Sequence, residues 1–263
     1  LKSKTGVGRA LRAAQSVVFF AVYAVFMILF FGLPQRLIVW PAAILLPSYR
    51  VRIVGLWFYM MARATQGMAR FIADVRIDYQ GIVPPGPCVV LMNHQSLLDI
   101  PIGYSIVRHP YPLIPTRALY ARGVPGVSPL IRMGELPLVG QKSTSRRFDI
   151  KEMARAAEKV AKGTHSLLIF PEGHRTKDGE ISPFMRSGLQ LILTRVTSWP
   201  VYLIVVDGLW HARTTADALF TFAGTRAKVR VLGPFPPPAK DAIESFSEEM
   251  RAKMVAALAE MRA

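Results

Sequence analysis

Two short segments of the chain carry side chains able to do acid–base chemistry and to hold an anion. In the first, Asn93-His94-Gln95-Ser96-Leu97-Leu98-Asp99, a histidine and an aspartate are separated by four residues at the end of an apolar run, Cys88 to Met92. On a regular helix a five-residue step turns about 500°, which would leave the two side chains about 140° apart. The histidine must therefore precede the helix, with Ser96 as its N-cap and Asp99 in its first turn, where the carboxylate can accept a hydrogen bond from the imidazole. An aspartate that fixes one ring nitrogen leaves the other as a base. In the second segment, Ser166 to Phe170 runs straight into Pro171-Glu172-Gly173-His174-Arg175-Thr176. Glycine there lets a ligand approach the backbone, and the Arg175 guanidinium offers a planar fork for a phosphate. Taken singly, each segment has a plainer reading: a loop histidine beside an exposed aspartate, and a surface Glu172–Arg175 ion pair capping a turn. A metal is not expected, because no further His, Asp or Glu cluster completes a shell around His94 and Asp99.

The elements that must position these groups alternate in type. Strand patterns fall at 75–79, 88–92, 111–115, 135–139, 166–170, 201–207 and 228–232, and helical windows at 97–107, 146–162 and 187–197. This alternation predicts an α/β fold, a mixed and largely parallel sheet flanked by helices. After Pro236 to Pro238, the residues Ile243, Phe246, Met250, Met254, Ala257, Leu258 and Met261 recur at steps of three and four, so an amphipathic helix closes the domain. The methionines on it are read as core packing.

The N-terminal quarter is different. Every residue from Val17 to Leu33 is apolar, aromatic or small, and at about 1.5 Å per residue this run gives roughly 26 Å of helix. A second apolar run at 37–46 is interrupted by Pro41, and Ser48 to Ala73 reads as a long helix rich in aromatic residues and methionine. Arginines and lysines flank the apolar runs (Lys2, Lys4, Arg9 and Arg12 before; Arg50, Arg52, Arg63 and Arg70 after), with only Arg36 between. Basic flanks on both sides favour a hairpin that turns near Pro34 and dips into one leaflet from the cytoplasmic side over a single span. Residues 1–73 are thus expected to form a hydrophobic two-helix membrane-associating motif, and 74–263 an α/β catalytic domain.

Charge narrows the partners. The chain carries 33 Lys and Arg against 17 Asp and Glu, a formal charge of +16, which attracts polyanions and anionic lipid. The basic residues form neither a stripe nor a known nucleic-acid module, so nucleic acid is not an expected partner. The single cysteine, Cys88, excludes an intramolecular disulfide and a thiolate zinc cage.

Asn93-His94 with Asp99, and Phe170-Pro171-Glu172-Gly173 with Arg175 about eighty residues later, together resemble the glycerolipid acyltransferase family that includes bacterial lysophosphatidate (1-acylglycerol-3-phosphate) acyltransferases. The resemblance covers roughly residues 75–210, and the hydrophobic start is similar to bacterial members. It implies that His94 is the general base on an acceptor hydroxyl that attacks an acyl thioester directly, with Asp99 orienting it. Glu172 and Gly173 would shape the acceptor site, beside Asn93, and Arg175 would bind the acceptor phosphate. Pro200, after Trp199, matches a short proline block of the family. The implied partners are membrane lipid, a lysophospholipid acceptor and a donor, acyl-CoA or acyl carrier protein, with no further cofactor. The implied location is the cytoplasmic face of the inner membrane.

Three departures stand out. His174 lies where the family usually has threonine, and Arg117 where it tends to place a lysine. The strand that should end in Asp-Arg runs instead from Leu138-Val139 into Gly140-Gln141, so the arginine is missing; Lys142, Arg146 or Arg147 are the candidates to replace its charge. The acceptor expected first is lysophosphatidate, giving phosphatidate. The alternatives are glycerol 3-phosphate, a lyso-aminolipid, or a catalytically idle lipid-binding protein.

Overall fold

The computed structural model describes residues 6–140, 146–212 and 215–263. Its main sheet holds six strands: β1 (Arg76–Gln80), β2 (Val89–Met92), β3 (Pro112–Leu113), β6 (Ser166–Ile169), β7 (Val201–Asp207) and β8 (Arg226–Phe235), in the order β1-β8-β7-β2-β6-β3. All neighbouring pairs are parallel except β7 with β8. The central strands β2 and β6 are buried at every position, as parallel strands covered on both faces must be. Helices cover both faces. Leu168 of β6 is reached by Gly103 of α4 (Asp99–Ile106), whereas its neighbour Ile169 shares a cavity with Met153 of α6 (Arg146–Ala161) and Ile192 of α7 (Arg186–Leu193). Successive strand residues point to opposite faces, which puts α4 on one side and α6 and α7 on the other. The mixed, largely parallel α/β fold predicted from the alternation is therefore the fold observed.

Two predicted strands differ. The segment 111–115 shortens to Pro112–Leu113 at the edge of the sheet, where a proline without an N–H is tolerated as a first residue. Of 135–139 only β5 (Leu138–Val139) is a strand, and it pairs outside the main sheet with β4 (Thr116–Arg117). Two short helices, α5 (Val127–Met133) and α8 (Thr215–Thr221), have no counterpart in the sequence reading.

The N-terminal region corrects the expected hairpin. The chain does not turn at Pro34. A single helix, apolar over Gly8–Leu45, is made of α1 (Gly6–Phe26), wide π-helical turns at Met27–Gly32 and Gln35–Val39, and α2 (Trp40–Leu45). Pro34 removes one backbone donor, and the wide turns on either side of it accommodate the loss without breaking the helix. They also preserve a face: Phe19, Met27, Phe31, Gln35, Val39 and Ala43 are all buried, largely at steps of four that would drift around a regular 3.6-residue helix. The reversal comes at Leu46–Tyr49, and α3 (Arg50–Ala73) returns alongside. Gln15 bonds to Ile72, Tyr23 to Thr65 and Gln35 to Trp57, so positions rise on one helix as they fall on the other.

The two helices bury one side and leave the other apolar and open. Phe19, Phe58 and Ala69 join the same hydrophobic cluster as Val89 and Leu91 of β2. Val18, Val22, Val25, Leu29, Leu33, Leu37 and Ile44 form an exposed stripe along the long helix, Leu37 at 72% exposure. α3 ends at Ala73, where Asp74 adopts a left-handed conformation and its amide donates to Ala69 O. At the other end of the chain α9 (Ile243–Arg262) buries Ile243, Met250, Met254, Ala257, Leu258 and Met261, the predicted face.

Candidate active site

The parallel register of β2 and β6 pairs Leu91 with Ile169, so the loops that leave the same end of these adjacent strands meet. Those loops are 93–98 and 170–185. Asn93 fixes the exit from β2: its amide donates to Val206 O at 2.8 Å and its carbonyl accepts from Val206 N at 2.7 Å, replacing a strand residue on the β7 side. Gln95 accepts from Leu209 N at 2.9 Å. Between these two anchors the His94 side chain is turned into the loop crossing.

Asp99, fully buried, opens α4. Its Oδ2 accepts three hydrogen bonds, from His94 Nδ1 at 2.8 Å, Gln95 N at 2.6 Å and Ser96 N at 2.7 Å. The helix begins two residues later than a Ser96 N-cap would place it. Leu98 holds the cap position and Ser96 Oγ accepts from Leu98 N, because the Asp99 carboxylate itself reaches back to satisfy the amides of residues 95 and 96. A carboxylate only accepts, so the proton lies on His94 Nδ1 and Nε2 carries a lone pair.

The second loop grips His94 from three directions. The Phe170 ring stacks on the imidazole, centroids 4.0 Å apart. Glu172 Oε1 accepts from His94 N at 2.9 Å while its Oε2 accepts from Ser182 N at 2.8 Å. Thr176 N donates to His94 O at 2.8 Å. Both oxygens of Glu172 thus go to backbone amides, and the group is 1% exposed. Burial pushes its carboxyl above the ordinary range, and the two amides act against that shift. Gly173 has φ +73°, and a Cβ there would sit 2.2 Å from Met185 Sδ.

These loops form one wall of a cavity of about 810 Å³. His94, Arg117, Gly173, His174 and Arg175 line it together with apolar side chains, among them Leu97, Ile114, Ile150, Met153 and Ile192. Gly140 also lines it, and its amide donates to the Asp149 carboxylate at 3.1 Å and 3.2 Å. Of the predicted site residues, His94, Gly173, Arg175 and Arg117 face the cavity. Asn93, Asp99 and Glu172 do not line it; they are buried behind His94 and hold it, so direct contact with an acceptor is not what their geometry provides. Lys142 lies outside the described residues. Sequence reasoning missed the role of Gln95, whose side-chain oxygen anchors the loop to Leu209 N, and those of Thr176 and Ser182, whose backbone amides make contacts that residue type does not signal. Among the described residues, no group of three or more His, Cys, Asp or Glu side chains is placed to hold a metal ion.

A mixed, largely parallel α/β domain in which a buried Asp99 holds a partly exposed His94 where the central strands end, facing a largely apolar cavity, is the arrangement of an acyl-transferring enzyme class. Residues 74–204 match the family described as Acyltransferase. Over 137 residues the chain is 34% identical to the chloroplastic 1-acyl-sn-glycerol-3-phosphate acyltransferase BAT2 of Brassica napus, an alignment covering 51% of this chain and 38% of that protein. It is 27% identical over 184 residues to the human 1-acyl-sn-glycerol-3-phosphate acyltransferase beta (70% and 62% covered). The corresponding enzyme of Pseudomonas aeruginosa is 25% identical over 126 residues (47% of each). The chain therefore spans between 38% and 62% of the length of these relatives. In fold it matches the 1-acyl-sn-glycerophosphate acyltransferase PlsC of Thermotoga maritima, with a TM-score of 0.75 at 18% identity over 97% of this chain and 98% of that one. The chain belongs to the acyltransferase family, through residues 74–204.

Proposed function

We propose that the protein is a membrane-associated O-acyltransferase that moves an acyl chain from a thioester to the free hydroxyl of lysophosphatidate, giving phosphatidate. The observation that carries this reading is the Asp99–His94 pair opening onto a cavity that holds both guanidinium groups and a long apolar lining. His94 Nε2 takes the proton of the acceptor hydroxyl as its oxygen attacks the thioester carbonyl. The tetrahedral adduct then collapses, the C–S bond breaks, and the imidazolium returns its proton to the leaving thiolate. Asp99 stabilises the positive charge that His94 carries in between. Arg175 and Arg117 hold the acceptor phosphate, and the apolar lining takes the acyl chain. The donor is acyl-CoA or acyl carrier protein, each of which brings negative charge to a chain of net charge +16.

Residues 74–263 would carry the chemistry and residues 1–73 the attachment. The exposed apolar stripe of the long helix would lie along the bilayer: 38 residues at about 1.5 Å each give roughly 57 Å, nearly twice a hydrocarbon core of about 30 Å. The basic flanks favour the cytoplasmic face of the inner membrane. A second acceptor class is favoured by one observation. With Gly140-Gln141 in place of Asp-Arg and the Asp149 carboxylate on the cavity wall, a lyso-aminolipid would find an acidic partner there.

The test is product formation by detergent-solubilised protein given long-chain acyl-CoA and, separately, lysophosphatidate, glycerol 3-phosphate and a phosphate-free lysolipid, with His94→Ala beside it. Turnover of lysophosphatidate, abolished in His94→Ala while vesicle binding persists, is the expected result. Full activity of His94→Ala would refute the base. Turnover of the phosphate-free acceptor alone would move the assignment to the second class.

A further inference from the structure

The loop that grips His94 is itself held from outside the family segment. Helix α9 begins 39 residues beyond residue 204, and its apolar face packs against α7 and β7. From this anchored helix Arg251 donates through Nε to Ser182 O at 3.1 Å and through Nη2 to Ile181 O at 2.9 Å. The carbonyl of Ile181 and the amide of Ser182 belong to one rigid peptide plane, so fixing the carbonyl fixes the direction of the N–H. That N–H is the one that donates to Glu172 Oε2, and Glu172 Oε1 accepts from His94 N. One run of bonds therefore leads from α9 to the backbone of His94. A second joins it: in the last turn of α9 Arg262 donates to Gly179 O at 2.8 Å and pairs with Glu180 and Asp207. Gly179 N in turn donates to Thr176 Oγ1, and Thr176 N donates to His94 O.

We propose that Arg251 is a positioning residue for the imidazole of His94, with Arg262 as its support, so that α9 clamps the catalytic loop although it lies beyond the family domain. The inference rests on the reading of His94 as the base. A planar guanidinium spanning two successive carbonyls suits this task, since a lysine ammonium can hold them only as a point charge. Nothing in the clamp touches the cavity, so substrate binding should be indifferent to it.

The experiment compares Arg251→Ala, Arg251→Lys, Arg262→Ala and His94→Ala in the solubilised full chain, recording kcat, KM for acceptor and donor, and the thermal midpoint. Arg251→Ala should lower kcat about tenfold, leave both KM values within about twofold, and keep the midpoint near that of the wild type, because small misplacements of a reacting group act on the rate more than on binding. Arg251→Lys should recover part of the loss, and Arg262→Ala should lower kcat by roughly threefold by the same route. An unchanged kcat in Arg251→Ala, or a loss that disappears once activity is expressed per folded molecule, would overturn the clamp. If Arg251→Ala does not fold, Arg262→Ala decides, with an unchanged kcat again overturning it. Activity in His94→Ala would instead remove the base on which the clamp acts, so the two failures are told apart.

Discussion

Replacing Asp99 by asparagine removes a charge while leaving its geometry available. Oδ2 accepts all three hydrogen bonds, from His94, Gln95 and Ser96, whereas Oδ1 is buried without a hydrogen-bond partner among the described residues. An asparagine can therefore put its carbonyl oxygen where Oδ2 was and its amide nitrogen in the unpartnered position, keeping the imidazole in the same tautomer. What it loses is the attraction between the carboxylate and the imidazolium that the proposed mechanism forms. With Nδ1 and Oδ2 2.8 Å apart the charge centres lie about 4 Å apart, and at an effective dielectric constant of about 20 the attraction is about 4 kcal/mol. That predicts a loss on the order of a thousandfold in the chemical step. Single-turnover release of thiol from a long-chain acyl-CoA measures it, since it separates chemistry from product release. Burying the amide nitrogen unpaired should also lower stability by about 1–3 kcal/mol, so rates must be expressed per folded molecule. A loss smaller than tenfold in a folded Asp99→Asn protein would refute the claim that Asp99 supports charge on His94.

Other outcomes follow from single groups. Gly173→Ala forces an L residue to φ +73° and drives Met185 Sδ from its place on the cavity wall; a loss of about 1–2 kcal/mol in urea unfolding is expected from the backbone alone, and wild-type stability would refute it. Arg175→Ala and Arg117→Ala should each raise KM for lysophosphatidate about tenfold while leaving a phosphate-free lysolipid nearly unaffected; equal effects on both acceptors would show that neither guanidinium reads the phosphate. His165 is buried, bonded to Tyr111 and Thr164, and its value falls from 6.5 to about 4, chiefly through burial and then the Lys159 cation. Between those values the unfolded chain binds a proton that the folded chain refuses, so this contribution to stability is complete above pH 6.5 and is lost as pH falls toward 4. Thermal midpoints measured against pH should fall more steeply over this range in the wild type than in His165→Gln, and parallel curves would contradict the assignment.

The legible parts of this protein are those written in local pattern. The central strands announced themselves as unbroken apolar runs, because parallel strands covered on both faces have no polar side. The turn after Met92 was legible too, since a His and an Asp five positions apart can meet only when the histidine precedes the helix. Prolines misled twice. Pro34 looked like a chain reversal, yet a helix supported along one side by α3 absorbs a missing donor in wider turns. The strand expected at 111–115 was cut to two residues by its prolines at the sheet edge.

Residue type and short-range spacing alone give the alternation of strands and helices, the apolar N-terminal segment and the His–Asp spacing that points to acid–base chemistry. Which polar groups face the cavity and which face protein follows from three-dimensional packing. Glu172 and Asn93 look like binding residues in the sequence, but the pairing of β2 between β6 and β7 buries both against backbone amides and leaves Arg117, from a strand outside the main sheet, on the cavity wall. Strand order and register join residues separated by 78 to 113 positions. They are set by the packing of the whole core, which no local stretch of sequence encodes.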